Sequence, residues 1–155
     1  MAAGDTTGDK AYTDSVYAPC ACSPLGKLQK VSQPYPANSS PSAWTVYAYD
    51  GLGRTLSVTQ PDGASTTSYV YAGNDTTVTD PAGKWKKFTN DSAGNLVTVT
   101  EPNPAGGTFT TTYAYDWMGH LTTVTMPRGS TTQTRTFAYD STGHRRRRPT
   151  RKTAL

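Results

Sequence analysis

Four aspartates, Asp50, Asp91, Asp116 and Asp140, are the residues of this chain best suited to acid–base work, since paired carboxylates can donate and accept protons at a reacting bond. Two histidines, His120 and His144, could serve as bases, and Cys20 and Cys22 as thiolates or metal ligands. The spacing argues against each of these uses. Every one of the aspartates stands three residues before a glycine, in Y-D-G-L-G (49–53), N-D-S-A-G (90–94), Y-D-W-M-G (115–119) and Y-D-S-T-G (139–143). A related D-P-A-G places Asp80 before Gly83. Asp at the first position of a type I turn caps turn amides with its carboxylate, and Gly then takes the left-handed position. Turn capping accounts for all the carboxylates at once, so no catalytic residue is expected.

The histidines follow a repeat glycine, at the position occupied elsewhere by Lys27, Arg54 and Lys84, and read as solvated strand starts. No Ser or Cys stands at a spacing that would make a nucleophile–base pair with them. The cysteines form C-A-C in a Pro-containing loop with no second pair. A structural zinc site needs about four ligands, so these are two thiols, free or loosely paired, in an irregular segment. Dinucleotide, P-loop and EF-hand patterns are absent, and no cofactor is expected. Trp44, Trp85 and Trp117 could stack on sugar rings, with Trp85 and Trp117 the candidate glycan platforms; the competing expectation is that they pack across strands.

The elements that position these residues follow from an internal repeat. GKLQKVSQP (26–34), GRTLSVTQP (53–61), GNLVTVTEP (94–102) and GHLTTVTMP (119–127) align without a gap. In each, Val follows the Gly at five residues, Ser or Thr at six and Pro at eight. Between the D-x-x-G corners lie strand-length runs such as TVYAY (45–49), STTSYVYA (65–72), KWKKFTN (84–90), TFTTTYAY (108–115) and TTQTRTFAY (131–139), joined by PDG, GND, PAG, PNPAGG and PRG. Short strands with turns every eight to twelve residues describe an all-β antiparallel meander of hairpins. Strict alternation would put the Leu at Gly+2 (Leu96, Leu121) and the Val at Gly+5 on opposite faces. Either a bulge near the turn restores parity or both faces are partly covered.

Composition fits a turn-rich β protein. Of 155 residues, 34% are apolar, Gly and Pro number 14 and 11, and Tyr is the commonest aromatic with 10 copies. A chain of this length has room for one domain with a modest core. The net charge of +4 misleads, because six of the fifteen basic residues fall within the last eleven positions and the rest of the chain is slightly acidic. No apolar run suits a membrane span, and the N-terminus has no signal-peptide pattern.

On Y-D-x-x-G-R at 49–54, echoed at 115–120 and 139–144, the chain resembles the Rhs or YD-repeat family over most of residues 22–143. In the first copy Cys22 and Ser23 stand where the family has Tyr and Asp, and in another Asn90 replaces the Tyr. The resemblance implies a strip of β-hairpins contributing to a hollow shell. In bacterial polymorphic toxins and insecticidal toxin complexes such a shell encloses a C-terminal toxic domain; in teneurins a similar barrel serves adhesion. It therefore implies a non-enzymatic, secreted or cell-surface structural role, with the rest of the shell and its cargo as partners. The structural turn residues would be Tyr49, Asp50, Gly53, Asp80, Gly83, Asp91, Gly94, Tyr115, Asp116, Gly119, Tyr139, Asp140 and Gly143. A carbohydrate-binding or adhesion module is the alternative.

Three segments are expected: an irregular stretch 1–21, repeats over 22–143, and a basic, disordered tail over 144–155. The repeat stops after His144, where Arg145, Arg148 and Arg151 replace the expected apolar residue, Val and Pro. A frameshift would explain this, since a shifted frame of CGN codons permits P-E-N-G at 151–154. The chain then reads as a fragment of a larger protein; the competing reading is a selected electrostatic tail. In either case the stretch Arg145 to Lys152 would bind polyanions nonspecifically in low salt.

Overall fold

The computed structural model describes residues 10–20 and 23–146. Among them there is no helix, and thirteen strands follow in order: β1 (Ala11–Tyr12), β2 (Ser15–Cys20), β3 (Ser23–Ser32), β4 (Tyr35–Pro36), β5 (Trp44–Tyr49), β6 (Thr55–Thr59), β7 (Thr66–Ala72), β8 (Asp75–Thr79), β9 (Trp85–Asn90), β10 (Leu96–Pro102), β11 (Thr108–Tyr115), β12 (Leu121–Arg128) and β13 (Thr131–Thr136). Eleven of them form one sheet in the order β2-β3-β5-β6-β7-β8-β9-β10-β11-β12-β13, while β1 and β4 pair separately. The fold is all-β, an antiparallel meander. Short Thr-, Val- and Tyr-rich segments separated by Gly and Pro turns pair most cheaply with their immediate neighbours in sequence.

The chain divides into two compact units. The first carries residues up to Val70 together with Val78–Lys84, and the second Tyr71–Thr77 together with the chain from Trp85 onward. This differs from the single domain the length suggests. Among the described residues no apolar side chain is buried, and the only buried polar ones are Ser32 and Thr111. The modest core expected from length is therefore absent here, because each hairpin neighbours only the next and half-buries its apolar side chains.

Register resolves the Leu and Val parity. On β10, Leu96 stands opposite Asn90, and Thr98 opposite Thr89, so Val97 is an extra residue. Val99 then faces Phe88. Since Asn90 and Phe88 share a face of β9, Leu96 and Val99 share a face of β10. The same bulge recurs at Thr122 against β11, at Leu56 against β5 and at Gln29 against β2. It falls three residues after the repeat glycine in all four of these hairpins, while β6–β7, β10–β11 and β12–β13 pair without a shift.

In the second unit the bulges sort the two faces. Thr89, Thr98, Thr112, Thr125 and Thr134 lie directly opposite one another across β9 to β13. On the other face Phe88 meets Val99, Val99 meets Thr111, and Tyr113 meets Val124. One face is therefore hydroxyl-lined and the other carries the apolar side chains.

Two stretches depart from the segmentation expected from sequence. The stretch 1–21, read as irregular, contains β1 and β2. Strand β2 alternates exposed and half-buried residues and lies at the sheet edge, where Pro19 is tolerated for want of a ladder hydrogen bond to donate. At the other end the pattern continues past His144: Tyr139 and Arg145 form an antiparallel bridge, Arg146 N donates to Ala138 O at 2.8 Å, and the Arg145 guanidinium lies 4.5 Å from the Phe137 ring centre. The rest of the basic stretch, with Arg148, Arg151 and Lys152, lies outside the described residues, as does Cys22.

Candidate functional site

The five D-x-x-G corners share one geometry. At each, the glycine N–H donates to the aspartate carbonyl at 2.9–3.1 Å, and the aspartate N–H donates to the carbonyl four residues on at 2.8–3.0 Å. The carboxylate closes the turn from inside. Oδ1 of Asp50 accepts from the amides of Leu52 and Arg54, and Asp80 from Ala82 and Lys84. Asp91 accepts from Ala93 and Asn95, Asp116 from Met118 and His120, and Asp140 from Thr142 and His144. Gly53, Gly83, Gly94, Gly119 and Gly143 all have φ between 77° and 87°, a left-handed conformation that side chains with a Cβ resist.

The second carboxylate oxygen varies with the residue at the fourth position after Asp. Asp50 Oδ2 accepts from Arg54 Nε at 2.7 Å, Asp91 Oδ2 from Asn95 Nδ2 at 3.0 Å, and Asp116 Oδ2 lies 3.0 Å from His120 Nδ1. These donors hold several carboxyls below the usual carboxylate range. For Asp91 the chief cause is the Asn95 side chain, for Asp116 the His120 amide, and for Asp140 the Thr142 hydroxyl. For Asp50 desolvation is the largest single influence and pushes upward, but the hydrogen bonds from Arg54 and Leu52 together outweigh it. An ionised carboxylate occupied by turn amides is a poor general acid.

At the three corners where a tyrosine precedes the aspartate, it reaches back one repeat. Tyr49 Oη donates to Leu28 O at 2.9 Å, Tyr115 Oη to Leu96 O at 2.9 Å, and Tyr139 Oη to Leu121 O at 3.0 Å. Each acceptor is the Gly+2 residue at the bulge. For Tyr115 it lies beyond the last paired rung of β10 and β11, Thr98 opposite Thr112. The hydroxyl thus satisfies a carbonyl that the ladder has left behind. Partial burial raises the Tyr49 and Tyr115 hydroxyl pKa values, with the Asp91 charge adding to the effect at Tyr115, so both remain donors at neutral pH.

The Gly+1 residue completes the contact. Lys27 Nζ sits 4.6 Å from the Tyr49 ring centre and donates to Gly53 O at 2.6 Å. His120 stacks on Tyr139 with ring centres 4.7 Å apart, and a Cβ on Gly143 would come within 3.2 Å of His120 Nε2. His120 is therefore not the solvated strand start expected from sequence but a half-buried contact between repeats. His144 fits that expectation better: its side chain is largely exposed and its Nδ1 lies 2.7 Å from Thr142 Oγ1.

In the first copy, the residue opposite Leu28 is Tyr17, five residues before the Cys22 position inferred from spacing. Here β2 and β3 go on pairing to Cys20 opposite Ser23, so Gly26 lies within β3 and the tyrosine falls further back along the chain while keeping its place in the ladder. Cys20 is disulfide-bonded, which corrects the expectation of a free or loosely paired thiol. Among the described residues no group of three or more His, Cys, Asp or Glu could hold a metal ion.

Of the tryptophans, Trp44 and Trp85 begin β5 and β9 and are half-buried, Trp44 beneath Lys30 Nζ at 4.3 Å. Trp117 stands at the tip of the Asp116 corner with 92% of its surface exposed. Beside it, between the Asp91 and Asp116 corners, runs a cleft of about 560 Å³.

Residues 91–131, from the Asp91 corner to the start of β13, match the family model described as RHS Repeat. No curated protein matches the chain.

Proposed function

From the RHS repeat at residues 91–131, we infer that the chain is a non-catalytic structural segment of a larger Rhs-type shell, secreted or held at a cell surface, that encloses a C-terminal toxin or effector. The observation that carries this reading is the tyrosine latch. The same side chain, at the same repeat position, ties three of the five corners to the bulge of the preceding repeat at 2.9–3.0 Å. Such a device lets hairpins that are individually too small to fold add to one another in series. The carboxylates are committed to turn amides, which supports an absence of catalysis. Partners on this reading are the rest of the shell and its cargo.

The test is protease protection of a C-terminal cargo domain in the parent protein. The cargo should resist digestion, and a Tyr115→Phe, Tyr139→Phe double variant should expose it. Cargo equally sensitive in both would sink the reading, as would hydrolytic or transferase turnover abolished by Asp116→Asn with the fold intact.

The exposure of Trp117 favours a second reading, an adhesion module stacking glycans on that ring. Binding on a glycan array, lost in Trp117→Ala, would support it.

A further inference from the structure

The cleft between the Asp91 and Asp116 corners differs from the other corners in its charge balance. Its walls include Asp91, Asp116, Asn95, Tyr113, Trp117 and Met118, and among the described residues no Lys, Arg or His lines it. At two of the other three corners the residue four after the aspartate is a permanent cation: Arg54, ion-paired with Asp50 at 2.7 Å, and Lys84 at the Asp80 corner, while the Asp140 corner carries His144. Here those positions hold Asn95, which is neutral, and His120, whose ring stacks on Tyr139 with Nδ1 3.0 Å from Asp116 Oδ2. Among the described residues no cationic side chain is bonded to Asp91, and both carboxyls are ionised at neutral pH because hydrogen-bond donors hold them below the usual range. The field is felt inside the cleft, since the Asp91 charge contributes to the raised Tyr115 pKa.

The aromatic content points the same way. At four other rings the chain provides its own cation: Lys27 on Tyr49, Lys30 on Trp44, Arg128 on Phe109 and Arg145 on Phe137, at 4.3–4.6 Å from the ring centres. The cleft offers an indole 92% exposed and a thioether 55% exposed, flanked by Tyr113, with no lysine or arginine of the described residues over them. Aromatic faces attract cations through the ring quadrupole, and a methylated ammonium, being large and weakly hydrated, gives up little solvation to bind there. The polarisable sulfur of Met118 suits N-methyl contact. An anionic ligand would meet two carboxylates and no basic group.

We propose that this cleft binds an organic cation, a quaternary ammonium group of the choline type, with Trp117, Tyr113 and Met118 as its apolar walls and Asp91 and Asp116 as its counter-charge. The proposal does not depend on the shell reading. Free choline and the choline headgroup of a lipid share the chemistry.

The test follows the Trp117 indole N–H resonance of the full chain during titration with choline chloride, with sodium chloride at matched ionic strength as reference. Vesicles of phosphatidylcholine and of phosphatidylglycerol form the second arm. A saturable shift with choline is expected. Asn95→Lys, which places a cation where the Asp80 corner already carries Lys84, should weaken binding roughly fivefold or more, about the worth of one cation–π contact. Trp117→Phe, followed by the remaining shifts at the cleft, should weaken it to a smaller degree. Competition of phosphatidylcholine vesicles with free choline identifies a lipid headgroup as the source; choline binding without such competition identifies the free cation. No saturable shift beyond the salt reference overturns the proposal. So does choline binding unchanged by Asn95→Lys in a folded variant, or a neutral sugar shifting Trp117 where choline does not.

Discussion

Tyr115 shows how much one hydroxyl does in this chain. Its oxygen satisfies Leu96 O where the backbone ladder stops, so removing it leaves a half-buried carbonyl to find water or go unpaired. Tyr115→Phe keeps the ring and its packing and deletes only that bond. The expected loss is about 0.5–1.5 kcal/mol, read as a lower urea midpoint with an unchanged slope. An unchanged midpoint would mean that solvent replaces the hydroxyl at no cost and that the latch is a consequence of packing. Tyr139→Phe makes the same deletion at Leu121 and should act mainly on the last hairpin, through faster amide exchange in β13.

At the scale of the element, the corner and the bulge divide the work of making a hairpin. The corner depends on charge. Folded carboxyls at Asp50, Asp91, Asp116 and Asp140 sit below the ordinary value of 3.8. Their contribution is thus fully present above the unfolded pKa and is lost as pH falls through the folded ones. Stability should be flat from neutral pH to about 5 and fall progressively below about 4. Asp91→Asn should flatten that fall, since Asn103 already caps its own turn by accepting from Ala105 N at 3.0 Å. A thermal-unfolding series against pH in both proteins checks this, and identical acid slopes would show that the corner carboxylates are not the titrating groups. The bulge depends on count instead. Deleting Val97 removes only the extra residue, so Leu96 can stay opposite Asn90, Thr98 opposite Thr89 and Val99 opposite Phe88, with both faces unchanged. The dispersed amide spectrum of β10 and β11 should survive this deletion and collapse instead on deletion of Thr98, which leaves Val99 where Thr98 stood; collapse in both would show that the bulge is needed for more than parity.

These two devices were not equally legible. The corner could be read residue by residue, because only a small side-chain acceptor and a residue free to take positive φ fit those positions, so chemistry and spacing coincide. The bulge could not, because its extra residue is Gln29, Leu56, Val97 or Thr122 in different copies; any side chain serves, and only the parity conflict betrayed it. Tyr17 is not legible in the repeat because β2 and β3 pair three residues beyond it, to Cys20 opposite Ser23, so spacing misplaces a residue that the ladder keeps in register. His120 was misjudged because its neighbour, Tyr139, lies a full repeat away in sequence.

For the whole molecule, the decisive feature is that no apolar side chain is buried among the described residues. Hydrophobic burial supplies most of the heat-capacity change of unfolding, about 12–15 cal/mol/K per residue in ordinary globular domains. This chain should fall clearly below that range in calorimetry and show a shallow denaturant slope, since little apolar surface is newly exposed. Stability built from hydrogen-bonded corners and half-buried rows also passes only between neighbours, so opening should start at the sheet ends rather than throughout. Strand β13 makes that end reactive: all six of its residues are exposed and it lies at the sheet edge. An edge strand can pair with strands of other chains. The isolated chain should therefore associate in a concentration-dependent way, detectable by sedimentation velocity. Thr134→Lys, a charge placed on that edge, should shift the distribution toward monomer. A chain that stays monomeric at high concentration, with a heat-capacity change in the ordinary range, would instead require a buried apolar surface that the described residues lack.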